Sequence, residues 1–329
     1  MHMREIAGVR VGEIGLGCMN LSHAYGAPPS VEQGTRVLER AVELGVTHFD
    51  SATLYGFGRN ESLLGKVLKP HRQKLFLASK CGMAAVDGVR VIDGRPETLT
   101  REVDASLQRL QTDVIDLYYL HRWDKSVPIE DSFGAIARMI EAGKIRAAGI
   151  SEASADTIRK AHAVCPVAAV QTEYSPWTRN VEIAVRDLCV EIGAALVAFS
   201  PVARGFLANG IKQLDTLAEK DIRRNMPRFQ QPHFDHNLSW LPRYEALAQE
   251  AGLTPAQLSL KWVLSRGSHV HPIPGTTSLA HLEENINASS CVVDQSILDA
   301  VSGLVNQSTV SGPRYPAGTQ KEIDTEEFA

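Results

Sequence analysis

Short apolar runs alternate with amphipathic stretches along this chain, roughly once every 30–40 residues, which is the rhythm of repeated βα units. The runs predicted as strands contain "VGEIGLG", "HFDSA", "LFLASK", "VIDLYYLH", "RAAGIS", "AAVQTEY", "ALVAFSP" and "HVHPIPG". Several are almost unbroken apolar segments, as strands buried on both faces should be. Helical spacing fills the gaps. Ser30 and Gln33 form a capping-box pattern ahead of Val31, Val37, Leu38, Ala41 and Val42, and Gly45 ends that helix. A second helix starts near Asn60. Leu99, Val103, Leu107 and Leu110 keep steps of three and four, and so do Ile129, Phe133, Ile136 and Ile140 before Gly143. Further helices are predicted over 156–164, 181–192, 239–251, 254–266 and 281–288, with Thr254-Pro255 as a start signal.

Eight such units predict an α/β fold, a closed (β/α)8 TIM barrel. The segment "MREIAGVRVGEIG" reads as an N-terminal β-hairpin cap turning at Ala7-Gly8. Residues 203–238 are too many for a plain connection and predict a long functional loop. No linker or boundary divides the chain, so residues 1–329 are expected to form one domain.

Composition adds exclusions. At 44% hydrophobic and 22% charged residues, with net charge −4 and no basic run, the chain lacks the footprint of a nucleic-acid or membrane-surface binder. Five scattered cysteines without a CxxC pair suit reduced thiols. The N-terminus carries Glu5 and no apolar core, so it does not read as a signal peptide, and the expected location is cytoplasmic. His233/His236 and His269/His271 lack a third ligand, so no metal site is expected.

Glycine-rich stretches raise the question of phosphate binding. Both Gly56-x-Gly58-x-x-Glu61 and Gly15-x-Gly17-x-x-Asn20 lack the third small residue that the dinucleotide fingerprint needs. The chemistry lies instead at strand ends, the functional face of a barrel. The second run ends at Asp50 with Tyr55 on its loop, the third at Lys80, the fourth at His121. Taken singly, each is an ordinary cap, solvent-reaching or packing residue. Together they suit proton transfer to a carbonyl oxygen. A lysine ammonium should lower the pKa of a neighbouring phenol, an aspartate should hold the lysine, and a neutral histidine can orient the oxygen. None can supply a hydride, so a nicotinamide cofactor is implied.

With these residues the sequence resembles the aldo-keto reductases. "HFDSATLYGFGRNESLLG", "LASKCG", "IDLYYLHRWD", "IEAGKIRAAGISEASADTIRKA", "VQTEYSPW", "AFSPVARGFL" and "IPGTTSLAHLEENI" follow the family's order across nearly the whole chain. The resemblance implies Tyr55 as acid, tuned by Lys80 and Asp50, in an oxidoreductase reducing aldehydes or ketones, its fold having two extra helices and a cofactor-covering loop. It implies Ser151, Glu152 and Gln171 at the nicotinamide carboxamide, with Phe199 stacked on the ring. Ser200, Arg204 and Gly205 would approach the pyrophosphate, and Gly275, Thr276, His281, Glu284 and Asn285 the adenosine end. NADP(H) is the implied cofactor. NAD(H) is the alternative, because Ser278 and His281 stand where many members carry a cation, leaving Lys212 or another residue of the long loop to contact the 2′-phosphate. Tyr25, Met83, Trp123 and Trp177 are candidate pocket walls, predicting an apolar, aromatic pocket for carbonyl or alcohol substrates rather than small anions. Two other readings remain: a cofactor-binding regulatory subunit resembling potassium-channel β-subunits, and a barrel hydrolase.

Overall fold

The computed structural model describes residues 1–86, 89–208 and 210–328. Eight parallel strands in chain order form one curled sheet: β3 (Leu16–Gly17), β4 (His48–Asp50), β5 (Phe76–Cys81), β8 (Ile115–Leu120), β9 (Ile145–Ser151), β10 (Val167–Glu173), β11 (Ala195–Phe199) and β12 (Val270–Pro272). They match the eight runs expected from sequence. Backbone hydrogen bonds from Gly15 to Pro272 (3.0 Å) and from Gly17 to Pro274 (3.2 Å) join the first and last strands and close the barrel. Glycine is required at this seam, because a Cβ on Gly17 would lie 2.6 Å from the Ile273 carbonyl oxygen.

The N-terminal hairpin is present as β1 (Met3–Ile6) and β2 (Val9–Gly12), with Ala7 and Gly8 both at positive φ, as a two-residue primed turn demands. Ile6 and Val11 seal the barrel interior below Phe76, Leu117, Tyr119 and Val197. Arg4 fastens the hairpin by donating to the carbonyls of Leu264, Gly267 and Val270.

Helices α1 (Val31–Glu43), α2 (Arg59–Leu68), α3 (Pro96–Leu110), α4 (Ile129–Glu141), α5 (Ala155–Val164), α6 (Val185–Glu191), α8 (Pro255–Leu264) and α9 (Leu279–Asn287) surround the barrel. Their apolar faces meet the outward strand residues in one continuous core. Two further helices, α7 (His233–Glu250) and α10 (Gln295–Leu304), pack on each other, and a single turn, α11 (Ala317–Gln320), ends the fold. Among the described residues no helix is long and apolar enough to cross a membrane.

Several boundaries differ from the sequence expectation. The helix expected over 181–192 is broken: Asn180–Glu182 form a 3-10 turn and α6 begins at Val185, after Ala184 takes an extended φ of −151°. Helix α7 starts six residues early, behind Pro232, and draws His233 and His236 out of the loop. The Ser30 hydroxyl caps α1, but the Gln33 side chain does not complete the box. It donates to the Thr277 carbonyl (2.8 Å) and pins α1 to the loop after β12. A hairpin not anticipated from sequence, β6 (Met83–Val86) and β7 (Val89–Ile92), rises beyond β5.

The 203–238 segment is a chain of 3-10 turns followed by the start of α7. It reaches across the top of the barrel. Ile222 N–H donates to the Ala24 carbonyl (2.9 Å), Asp221 bridges to Tyr25, and the Arg223 guanidinium lies 4.9 Å from the Tyr25 ring centre.

Candidate active site

Asp50 is the last residue of β4 and pairs in parallel register with Ala78 of the adjoining β5, two residues before Lys80 at that strand's penultimate position. Lys80 is fully buried, a state that an ammonium tolerates only with its charge paired and its protons bonded. All three have acceptors: Asp50 Oδ1, the Ser51 carbonyl (2.7 Å) and the Tyr55 hydroxyl (3.2 Å). The other Asp50 oxygen accepts from Gln171 Nε2 (2.7 Å). Burial alone would depress the Lys80 pKa, but Asp50 and then Tyr55 outweigh it and hold the ammonium above its ordinary value.

Tyr55 is placed by a tight left-handed turn. Gly56, Phe57 and Gly58 have φ of 57°, 55° and 86°, and a Cβ on Gly56 would come within 2.9 Å of Ser22 Cβ. The residues behind the turn lock it. Asn60 donates to the Cys18 carbonyl (2.8 Å) and accepts from Ser51 Oγ (2.7 Å). Glu61 accepts from Ser79 Oγ (2.5 Å) and Arg109 Nε (2.6 Å). The glycines here shape a turn, and the carboxylate that spoils the dinucleotide fingerprint is a buried anchor.

His121 follows β8. Its ring stands edge-on to Tyr55, with centres 5.9 Å apart and planes at 85°. Burial, then Arg122 and Lys80, push its pKa well below the ordinary histidine value, so it is neutral, and its Nδ1 is buried without a partner. One sequence expectation is reversed. The Tyr55 pKa is raised, because burial of the phenol exceeds the opposing pull of Lys80. In this state Tyr55 is a firmly protonated acid.

Asp50, Tyr55 and His121 line a cavity of about 790 Å³ that runs between the loops after β3, β11 and β12, with Lys80 buried behind them. Of the residues implied at the cofactor, Ser151, Gln171, Phe199, Ser200, Arg204, Gly205, Gly275, Thr276, His281, Glu284 and Asn285 line it, as do Tyr25 and Met83. Ser200, Ala203 and Arg204 all have positive φ, a concentration of backbone strain typical of functional turns. Its volume lies within the ordinary range for small-molecule sites, and its lining combines an aromatic face (Phe199), hydroxyls (Ser151, Ser200, Thr276) and the start of α9. That donor set fits a dinucleotide.

Four sequence candidates lie outside the cavity lining. Glu152 is buried outside the cavity, where both its oxygens accept from Arg314 Nη2 (2.9 Å each) and Oε1 also accepts from the Glu173 amide (2.9 Å). Lys212 is exposed and directed to Glu245 (3.6 Å), away from the cavity. Trp123 turns its indole N–H to the Val127 carbonyl (2.9 Å). Trp177 is buried among Phe206, Phe229 and Trp240. Glu152, Trp123 and Trp177 are held elsewhere by hydrogen bonds or packing, and Lys212 by an exposed ion pair.

The cavity also has walls not identified from sequence: Asn20, His23, Arg90, Arg122, Arg223, Tyr315, Pro316 and Thr319. Arg122 follows His121 directly, so its position beside the strand end was the one available signal. Nothing local marked the tail residues.

Residues 13–306 match the sequence model described as the Aldo/keto reductase family. Among curated proteins, "Aldo-keto reductase yakc [NADP(+)]" of Schizosaccharomyces pombe is 41% identical over 327 residues, covering 97% of this chain and 96% of that protein. "Probable aldo-keto reductase 1" of Glycine max is 41% identical over 313 residues, covering 94% and 90%. Among solved structures, the glycerol dehydrogenase AKR11B4 from Gluconobacter oxydans superposes with a TM-score of 0.85 at 26% identity, covering 96% of this chain and 98% of that one. The holo form of aldo-keto reductase AKR11C1 from Bacillus halodurans gives 0.76 at 26% identity, covering 96% and 99%.

Proposed function

Because the chain belongs to the aldo/keto reductase family, we propose that it reduces aldehydes or ketones to alcohols with NADPH, Tyr55 giving the proton. The observation that carries this reading is the bond from Lys80 to the Tyr55 oxygen (3.2 Å). An oxygen already accepting from an ammonium keeps its own hydrogen for another acceptor, and Tyr55 lines the cavity. NADPH is the cofactor in this reading because the fission-yeast relative is named for NADP(+) and the cavity's donor set suits a dinucleotide. When bound, it supplies the hydride that the side chains lack.

The chain's own residues divide the remaining work. Neutral His121 donates a hydrogen bond to the carbonyl oxygen and orients it toward Tyr55. Lys80, fixed by Asp50, stabilises the phenolate left after proton transfer. Ser151 Oγ accepts from Arg122 (3.2 Å), which leaves its hydroxyl hydrogen for a carboxamide oxygen, and Gln171, steadied on Asp50, meets the same group. Phe199 offers its face for stacking. Ser200 to Gly205 and the start of α9, with Thr276, His281, Glu284 and Asn285, hold the phosphates and the adenosine.

The test pairs binding with turnover. Fluorescence titration should give a lower Kd for NADPH than for NADH, and absorbance should fall when aldehydes and ketones are added. Tyr55→Phe should bind NADPH normally while kcat/KM falls by about 10²–10⁴, the usual contribution of a positioned acid. Unchanged turnover in that variant would remove Tyr55 from the role. Tight NADPH binding without turnover across a broad panel would instead favour the regulatory-subunit reading.

A further inference from the structure

Four arginines line the cavity: Arg90, Arg122, Arg204 and Arg223. Three are neutralised. Arg90 pairs with Glu322, Arg204 with Glu173 (2.8 Å) and Arg223 with Asp221 (2.6 Å). Arg122 alone has no carboxylate partner among the described residues. Its Nη1 donates to the His121 carbonyl (2.7 Å) and to Ser151 Oγ (3.2 Å), which fixes the guanidinium beside the catalytic histidine. Its Nε and Nη2 have no protein acceptor among the described residues. The side chain is half-buried and lines the cavity, so the unpaired edge of its guanidinium is open to a ligand there.

The surroundings reinforce this reading. After burial itself, the charge felt most strongly at His121 is that of Arg122, ahead of Lys80. Arg122 also draws the Tyr55 pKa down, so its charge is felt where the carbonyl must sit. Arg122 thus brings an unpaired positive charge to a cavity that Tyr25, Leu54, Met83 and Phe199 also line. A planar fork with a free edge matches an oxoanion, which it can bind bidentately.

We propose that Arg122 is the docking group for a carboxylate or phosphate carried by the substrate, so that the preferred substrates are anionic aldehydes or ketones. This rests on the reductase reading above and names its substrate class. Arg122 is in this account a specificity-determining residue, and the proton still comes from Tyr55.

The experiment measures kcat/KM for matched acid and amide probes with NADPH. Phenylglyoxylate against phenylglyoxylamide tests an anion next to the carbonyl. The acid 4-carboxybenzaldehyde against 4-formylbenzamide tests a longer reach, and 4-formylphenyl phosphate separates phosphate from carboxylate. The native protein should favour at least one anion over its neutral partner by about 10-fold or more, as a charge-assisted hydrogen bond provides. Added salt should reduce the preference. Arg122→Met should lower the anion-to-amide ratio by about 10- to 100-fold, and Arg122→Lys should recover part of it. Acid and amide used equally well by the native protein would overturn the proposal, as would an equal loss on both in Arg122→Met, which would mark a role in positioning His121 or Ser151. If no probe is reduced, the reductase reading fails separately. Calorimetric titration of the same NADP+-loaded proteins with benzene-1,4-dicarboxylate and its diamide still decides the docking role. Binding of the dianion that is lost in Arg122→Met supports it, and equal affinities overturn it.

Discussion

Two buried ion clusters stand close together at the C-terminal ends of the barrel strands, and strand β10 contributes to both. Gln171 donates to Asp50, which holds Lys80, while Glu173, two residues on and on the same face of β10, joins Glu152, Arg204 and Arg314. In the second cluster burial works against ionisation of Glu173, yet Arg204, Arg314 and Arg228 outweigh it and bring its pKa down to about 2. Every charge there meets an opposite fixed charge, and the result fastens the tail to the ends of β9 and β10. The first cluster ends differently. Its chain of bonds runs from Gln171 through Asp50 and Lys80 to a neutral phenol and stops at the cavity, beside a neutral imidazole with a vacant nitrogen. Buried charge alone is thus no sign of chemistry. The sign is a charged group that hands its bonding to a neutral, titratable one facing open space.

Removing one member of each cluster should separate these roles. Tyr55→Phe, with its large expected loss of turnover, should change the unfolding free energy by only about 1 kcal/mol, the worth of one hydrogen bond. Arg314→Met should do the reverse, destabilising by about 3–5 kcal/mol in urea melts because Glu152 is left buried and unpaired, with turnover of the folded fraction retained. A variant pair that loses stability and turnover in the same proportion would erase the distinction.

A third buried set sharpens the comparison through pH. His48 and His271 lie at the barrel floor, where burial lowers their pKa values to about 4 and about 3. Both ring nitrogens of His48 lack partners. Because the unfolded chain takes up these protons near pH 6.5 and the folded one does not, stability is full above that pH and falls as the pH drops toward 4. His48→Leu should flatten that slope by about 1.4 kcal/mol per pH unit, measured by denaturant melts between pH 6.5 and 4. The smallest effect is expected at Lys212. Its exposed pairing with Glu245 leaves Lys212→Met within about 0.5 kcal/mol of the native protein and without change in NADPH affinity.

The barrel was legible because buried parallel strands are continuous apolar runs, and the N-terminal hairpin because Ala7-Gly8 is a two-residue turn between β1 and β2. Asp50, Tyr55, Lys80 and His121 were legible because strand ends define the functional face. The β6–β7 hairpin was also within reach, since Asp87-Gly88 between "MAAV" and "VRVI" is a strong hairpin signal in the sequence, though residues 87 and 88 lie outside the described ones. Other features had no local signature. Glu152 was assigned to the cofactor by position, and its true partner, Arg314, is 162 residues away. The direction of the Tyr55 shift depends on how deeply the phenol is buried, which neighbour identities do not reveal. Arg122 drew no notice because a missing counter-charge can be seen only when the neighbours are in place.

The closing seam carries one more consequence, for how the molecule is made. The bonds that turn the sheet into a barrel join Gly15 and Gly17 to Pro272 and Pro274. Until the chain through Pro274 exists, β3 has a partner on one side only. The earlier units can pair and pack in the order of synthesis, but the ring cannot shut. Its most sequence-distant contacts form last, and such contacts make folding slow. During that interval the exposed edges of β3 and of the most recently made strand are the places where two half-made copies would find each other.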